Sequence, residues 1–269
     1  MQNPVRGRQN LIYRTTENWR PPVFTKGENR LQKIKAAVRR YFDLQAGSVW
    51  NDLAAELPKV KGTILDVGCG AQPYRSLLPR DCKYTGIDTI DAKSKFGYEI
   101  PDTIYFSGNT WPVETESVDF ILCTETLEHI LEPSVFLNEM YRCLRPQGRI
   151  ILTVPFAARW HFVPYDYWRF TPSSLNHLLE KAGFVDIEVY ARGNEVTVAC
   201  YKGMALILSL LFSQPPNKVL VWVPRTIGII TGPVLLILAA IANISLRMGG
   251  GEDCLGYTVL GVRGHQKTV

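Results

Sequence analysis

Leu65–Gly70 reads LDVGCG, and these six residues decide the fold. A short apolar run, TILDV from Thr63, stops at two glycines, Gly68 and Gly70, with one residue between them. That is a buried strand feeding a turn. Glycine in such a turn lets the backbone approach a ligand closely. PYRSLL, Pro73 to Leu78, can then open a helix, whose N-terminus would favour a negative group. A dinucleotide fingerprint asks for a third glycine, and Pro73 stands in that place. Asp66, two residues before Gly68, instead suits a ligand with a positive amino group. Asp88, in GID at the end of the next strand, can accept hydrogen bonds from both hydroxyls of a ribose.

Outward from this turn, strands and helices alternate. KYTGID, TIYFSG and SVDFILCT read as three further strands, and PSVFLNEMYRCLR as a helix with Pro133 in its first turn. GRIILTVP is a fifth strand. TPSSLNHLLEKAGF is a helix capped by Thr171 or Ser173 and closed by Gly183. FVDIEVYAR is a sixth strand, and the last, LGYTVLGVRG, comes only after a long apolar stretch. Alternation of this kind predicts an α/β fold, a parallel sheet with helices on both faces.

LDVGCG, GID, VDFILCTETLEHI, LRPQGRIILTVP and KAGF together resemble a class I S-adenosylmethionine-dependent methyltransferase of the type-11 group. The likeness covers about 61–191, with 255–263 as the final strand. It implies a Rossmann-like seven-stranded sheet whose last strand is antiparallel, lying between strands five and six. It implies S-adenosyl-L-methionine as cofactor, with Asp66, Gly68 and Gly70 at its methionine end and Asp88 on its ribose. The family often places an acid after the third strand, near the adenine. This chain has SGNT there, which makes Asn109 the nearest match, and its amide oxygen can still accept from the adenine amino group. Thr124 and Glu125, just past the fourth strand, are expected to face the cofactor cleft.

An oxygen acceptor must lose a proton as it takes a methyl group, so a nearby histidine or carboxylate is needed. RWHFVPYDYWRFTP, Arg159 to Pro172, follows the fifth strand at the sheet's carboxyl edge, where open α/β sheets bind ligands. His161 is the expected general base, with Asp166 orienting it or touching an acceptor hydroxyl. Tyr165, Trp168 and Arg169 are the expected substrate contacts, since aromatic faces suit sugar rings and apolar chains. The alternative is that His161, Asp166 and Arg169 only pin the loop. His129, in LEHI, is expected to be structural. Related sequences with this pattern are associated with cell-surface saccharide assembly, which points by analogy to a lipid-linked saccharide or another amphiphile. Methylation of a quinone-like lipid or a small soluble metabolite is the alternative. A non-catalytic cofactor-binding scaffold is a third reading.

Charge divides the chain. Residues 1–42 hold ten basic and two acidic residues, 43–195 hold fourteen and twenty-one, and 196–251 hold four and none. An acidic middle excludes a nucleic-acid working face. The six cysteines are widely spaced, with no CxxC and no zinc-type spacing, so neither disulfides nor a metal is expected. No secretory signal follows Met1.

Thr226–Leu246 holds no charge and would rise about 32 Å as a helix, close to the roughly 30 Å of a bilayer's hydrocarbon. Because a strand of the same sheet follows, the chain must return to its starting side, and the number of crossings is even. Val196–Phe212 is shorter and carries Lys202, which favours a shallow hairpin turning at SQPPN. Gly228 and Gly232 are spaced for close helix contact. The expectation is attachment to the cytoplasmic face of the cell membrane, peripheral or monotopic, through 196–251. A pair of buried or oligomer-interface helices is the alternative. Four parts follow: 1–60 an arm and basic helices, 61–195 the catalytic domain, 196–251 the insertion, 252–269 the last strand and tail. The basic helix over 30–42 is expected to dock on the catalytic domain, with a membrane contact as the alternative.

Overall fold

The computed structural model describes residues 30–90, 100–212 and 222–265. The arm before Arg30 and the turn at SQPPN lie outside them. Two helices, α1 (Arg30–Phe42) and α2 (Leu44–Glu56), precede β1 (Thr63–Val67), β2 (Lys83–Thr89), β3 (Thr103–Phe106) and β4 (Val118–Thr124). Then come α3 (Pro133–Cys143), β5 (Leu144–Pro155), α4 (Pro172–Ala182) and β6 (Phe184–Arg192). A helical pair, α5 (Glu195–Leu211) and α6 (Trp222–Ser245), leads into β7 (Gly256–Arg263).

The seven strands lie in the order β3-β2-β1-β4-β5-β7-β6. β1 to β5 pair in parallel. β7 runs antiparallel between β5 and β6. The order reverses beside β1, and there the carboxyl ends open a crevice. Alternate side chains of the central strands serve opposite faces. Leu65, Ile121, Ile150 and Leu152 pack with α3 and α4 on one side. Ile64, Phe120, Leu122 and Ile151 pack with Val49 and Leu53 of α2 on the other.

Two elements differ from expectation. Pro73–Leu78 opens no α-helix; only a 3₁₀ turn, Arg75–Leu77, stands between β1 and β2. Pro79 removes the donor that the next turn would need. The cofactor turn is therefore not backed by a helix N-terminus. α1 does not dock along its length, for none of its residues is buried. It is fastened at its end, where Asn243 Nδ2 donates to the Tyr41 carbonyl at 2.9 Å and the Arg40 guanidinium lies 4.1 Å from the Trp50 ring centre.

α5 and α6 pack side by side. A Cβ on Gly228 would meet the Leu211 amide nitrogen at 2.8 Å, whereas one on Gly232 would meet nothing within 4 Å. Only Gly228 therefore does what the spacing of the two suggested. At the root of the pair, Val198, Cys200 and Met204 of α5 and Ala239 and Ala242 of α6 pack with Leu44 and Leu255. Asn194 caps α5, and Thr197 and Ser245 share a 2.8 Å hydrogen bond across the two helices. Beyond the root only Ile207 and Gly228 are buried among the described residues, and the outer faces of the helices are bare. Phe212, Trp222 and Ile230 are 75%, 64% and 72% exposed. α6 is long and apolar enough to cross a membrane, and 17% of its most apolar window is buried.

Candidate active site

The cofactor turn holds itself open. Gly68 has φ 67° and Gly70 φ 51°, in the left-handed region that L side chains rarely adopt. A Cβ on Gly68 would collide with the Thr126 side chain. The Gly70 amide donates to Asp88 Oδ2 at 3.0 Å and the Thr89 amide to Oδ1 at 2.7 Å. Each oxygen keeps further lone-pair capacity for a ribose hydroxyl.

Asp66 is almost fully buried at the β1 end. Its Oδ2 accepts from the Tyr84 hydroxyl at 2.8 Å, while Oδ1 has no hydrogen-bond partner among the described residues. Burial pushes its carboxyl up to about 7, Tyr84 pulls against this, and Asp88 adds to it. An orphaned carboxylate oxygen beside a glycine turn fits the ammonium and backbone of a methionine end, and Asp88 fits a ribose. S-adenosylmethionine is thus matched by the residues themselves. Asn109 lies exposed in the loop after β3.

Thr124 ends β4 and is half-buried. Glu125 follows with φ 47° and its amide donates to the Thr153 carbonyl at 2.9 Å. Its carboxylate meets Arg192 Nη2 at 2.7 Å, so it is tied to the far end of β6. Tyr84, Thr126 and Arg192 were not picked out from the sequence. A lone tyrosine, threonine or arginine carries no spacing signal, and only the sheet register brings them to the crevice.

The loop after β5 is organised around Asp166. Arg169 holds its carboxylate by two nitrogens, at 2.6 and 2.7 Å. The His161 amide donates to Oδ2 at 2.9 Å, and His161 Nδ1 is 3.1 Å away. Burial opposes ionisation of Asp166, yet Arg169 and His161 outweigh it and hold the carboxyl well below the usual range. The Asp166 side chain has no exposure and is engaged by His161 and Arg169. Arg169 also donates to the Trp168 and Arg159 carbonyls, so its charge is spent within the loop. Tyr165 and Trp168 stay open to solvent on one side.

His129 belongs to this site as well. Its ring meets the His161 ring edge-on, with centres 5.0 Å apart. Its Nδ1 is 2.8 Å from the Tyr165 carbonyl, which makes it the donor and turns Nε2 toward Glu128 Oε1, 3.5 Å away. Burial, then the neighbouring His161, lowers His129 to about 4, so the ring is neutral near pH 7. Glu128 is fully buried, and neither oxygen meets a donor in hydrogen-bonding geometry. Although no metal is expected from the sequence, Glu128, His129 and His161 each offer a ligand atom, all within 4.8 Å of one another. The sequence separates His129 from His161 by thirty-two residues, which hides the grouping.

A β3-β2-β1-β4-β5-β7-β6 sheet, with a glycine turn and two acids at the ends of its first strands, defines the class I S-adenosylmethionine-dependent methyltransferases. This chain is one of them. It belongs to the methyltransferase-domain family, whose model matches residues 38–189. It is 23% identical over 210 residues to a ubiquinone biosynthesis O-methyltransferase of Xanthomonas oryzae pv. oryzae, covering 70% of this chain and 88% of that one. The fold is similar to a SAM-dependent methyltransferase of Archaeoglobus fulgidus, with TM-score 0.50 and 16% identity over 84% and 98% of the two chains. It is equally similar, at TM-score 0.50 and 16% identity over 88% and 98%, to a chain of a complex with the Haloferax volcanii Trm112 methyltransferase activator. The chain is an enzyme that uses S-adenosylmethionine, and the reading as a scaffold without catalysis falls away.

Proposed function

We propose that this methyltransferase transfers its methyl group to a hydroxyl of an amphiphile, a lipid-linked saccharide in the first place, at the cytoplasmic membrane surface. One observation carries the reading: the acceptor loop and the bare apolar helices grow from a shared root. Lys202 of α5 donates to the Ala157 carbonyl at 2.6 Å, where the acceptor loop begins. Ala157 and Tyr201 pack on the same cluster that anchors the helix pair. A large exposed apolar surface beside a cleft marks an interaction surface. Because β7 returns to the sheet, the pair would enter a bilayer and come back. Lys202 stays at the root, as a charge should.

S-adenosylmethionine supplies the electrophilic methyl group. The protein supplies position, with Asp66 at the methionine end of the cofactor, Asp88 on its ribose, and Tyr165 and Trp168 as faces for the acceptor. The hydroxyl proton leaves at the pole where His161 and His129 meet, and Asp166 holds His161 in place. A quinone-like lipid acceptor is the second reading, favoured by the name of the Xanthomonas relative.

The test uses methyl-labelled cofactor with purified protein and a membrane extract. Label is expected in the butanol- or chloroform-soluble fraction, and mass spectrometry of that fraction separates saccharide from quinone. Label confined to water-soluble metabolites would defeat the proposal. His161→Ala should lose turnover and keep cofactor affinity.

A further inference from the structure

We infer that Glu128, His129 and His161 form a binding site for one divalent transition-metal ion at the acceptor end of the cleft. The inference rests on the reading of the loop after β5 as the acceptor side. Three observations meet at this point.

The first is charge. Three carboxylates crowd the ends of β4 and β5, and two of them have cations. Asp166 is matched by Arg169, and Glu125 by Arg192. Glu128 meets no lysine or arginine within ion-pair distance among the described residues. Its side chain is fully buried, and both oxygens lack a hydrogen-bond donor. A buried carboxylate without a partner is costly, and native proteins provide one.

The second is the grouping. A ligand atom of Glu128 lies within 4.8 Å of one from each histidine. Donors around a bound ion stand roughly 3–3.5 Å apart, so the three groups must draw in to close on one. Two histidines and one carboxylate leave coordination positions for solvent or substrate.

The third is the outer shell. Metal-bound histidines hand their second ring nitrogen to a carbonyl or carboxylate, which fixes tautomer and orientation. His129 Nδ1 is 2.8 Å from the Tyr165 carbonyl. His161 Nδ1 is 3.0 Å from the Arg159 carbonyl and 3.1 Å from Asp166 Oδ2. In both rings Nδ1 faces such an acceptor. Asp166 and Arg169, buried in the loop, become the support of a ligand.

Imidazole nitrogens with a single carboxylate favour Zn²⁺ first, Mn²⁺ less, and least of the three Mg²⁺, which prefers oxygen. The ion's open positions suit an acceptor with two neighbouring hydroxyls, a catechol or a sugar diol. A hydroxyl held by the ion sheds its proton to solvent more readily. His161 would then be a ligand and not the base expected from the sequence.

The experiment takes full-length protein in detergent, stripped by a chelator in the presence of reductant. It is titrated calorimetrically with Zn²⁺, Mn²⁺ and Mg²⁺, and separately with S-adenosylmethionine. One Zn²⁺ or Mn²⁺ per chain is expected, at least tenfold tighter than Mg²⁺. His129→Ala and His161→Ala should each weaken it at least tenfold, and the exposed His177→Ala should leave it unchanged. Cofactor affinity, kept within about threefold, reports that each variant is folded. No binding by the wild-type protein, or binding that survives both histidine variants, overturns the site while the methyltransferase reading stands. Ion binding by protein that takes no cofactor would leave the site and fell that reading.

Discussion

Arg192 reaches Glu125 across a strand. Arg192 faces Gly256 of β7 in the sheet register. A side chain on Gly256 would collide with the guanidinium, so the glycine gives Arg192 its path over β7. The guanidinium arrives at the Val154 carbonyl at 2.9 Å, the Ser48 hydroxyl at 3.3 Å and Glu125 Oε1 at 2.7 Å. One side chain thus ties β6, β5, α2 and the turn after β4. Glu125, in a left-handed conformation, is held by it. Arg192→Met should destabilise the fold by about 3 kcal/mol, the low end for a broken buried pair because Glu125 is partly exposed. Glu125→Gln keeps a hydrogen bond and should cost less than half of that. Urea denaturation of the three proteins gives the order, and equal midpoints for Arg192→Met and wild type would refute the tie.

Asp66 makes cofactor binding sensitive to pH. In the cofactor-free protein burial lifts its carboxyl to about 7. Below that value the carboxyl carries a proton, which an incoming ammonium must displace. Affinity for S-adenosylmethionine should fall up to tenfold per pH unit below about 7. It should fall again above about 8, where an α-amino group loses its own proton. The same shift bears on stability. The folded apo chain holds a proton from pH 3.8 to about 7 that the unfolded chain has released, so this group's contribution to stability falls as pH rises through that window. Asp66→Asn should flatten the acid limb and weaken binding by about 10- to 100-fold, the worth of a charge-assisted hydrogen bond. Calorimetry between pH 5.5 and 9 decides, and an unchanged acid limb in Asp66→Asn would assign it to another group.

The Gly68 turn is constrained twice, by its positive φ and by Thr126. Gly68→Ala should cost about 1 kcal/mol or more from backbone strain alone, with the clash added. Removing the Thr126 side chain to Ala in the same protein should return part of the stability and not all of it. A double variant as weak as Gly68→Ala would show that the threonine does not crowd the turn.

Much of this was legible in the sequence. Every strand from TILDV to LGYTVLGVRG lies where its pattern put it, because buried strands are short apolar runs ended by turn residues. The placement of β7 after the helix pair fixed the return of the chain. Two local readings failed. PYRSLL has a helical composition, but Pro79 cuts it short, and the turn is shaped by Asp88 instead. α1 has a clear apolar stripe, yet Leu31, Ile34 and Val38 remain exposed. Periodicity shows that a face exists without saying what covers it. In the loop after β5 the residue types were visible, but not how they pair. Arg169 was read as a substrate contact or as a pin of the loop paired to a carboxylate, and it is engaged by Asp166. His129 was read as structural and stands against His161. Such pairings depend on where two distant loops end in space.

Gly228 and Gly232 provide a matched pair for the last prediction. Both lie on α6, and both look like contact glycines in sequence. Gly228 is buried against Leu211, whose amide nitrogen would lie 2.8 Å from an added Cβ and whose Cα would lie 3.1 Å away. Backbone cannot yield there as a flexible side chain would, so Gly228→Leu must push α5 and α6 apart. Gly232 faces open space, and Gly232→Leu adds apolar surface with no clash. In the proposed membrane setting, Gly228→Leu should loosen the pair. Spin labels on Leu208 and Thr231 would report a wider and broader distance distribution in vesicles. Gly232→Leu should leave that distribution as in the wild type, and vesicle flotation should be unchanged or stronger, by up to about 2 kcal/mol for one more leucine against lipid. Equal distributions in the two variants would mean that α5 and α6 do not meet at Gly228.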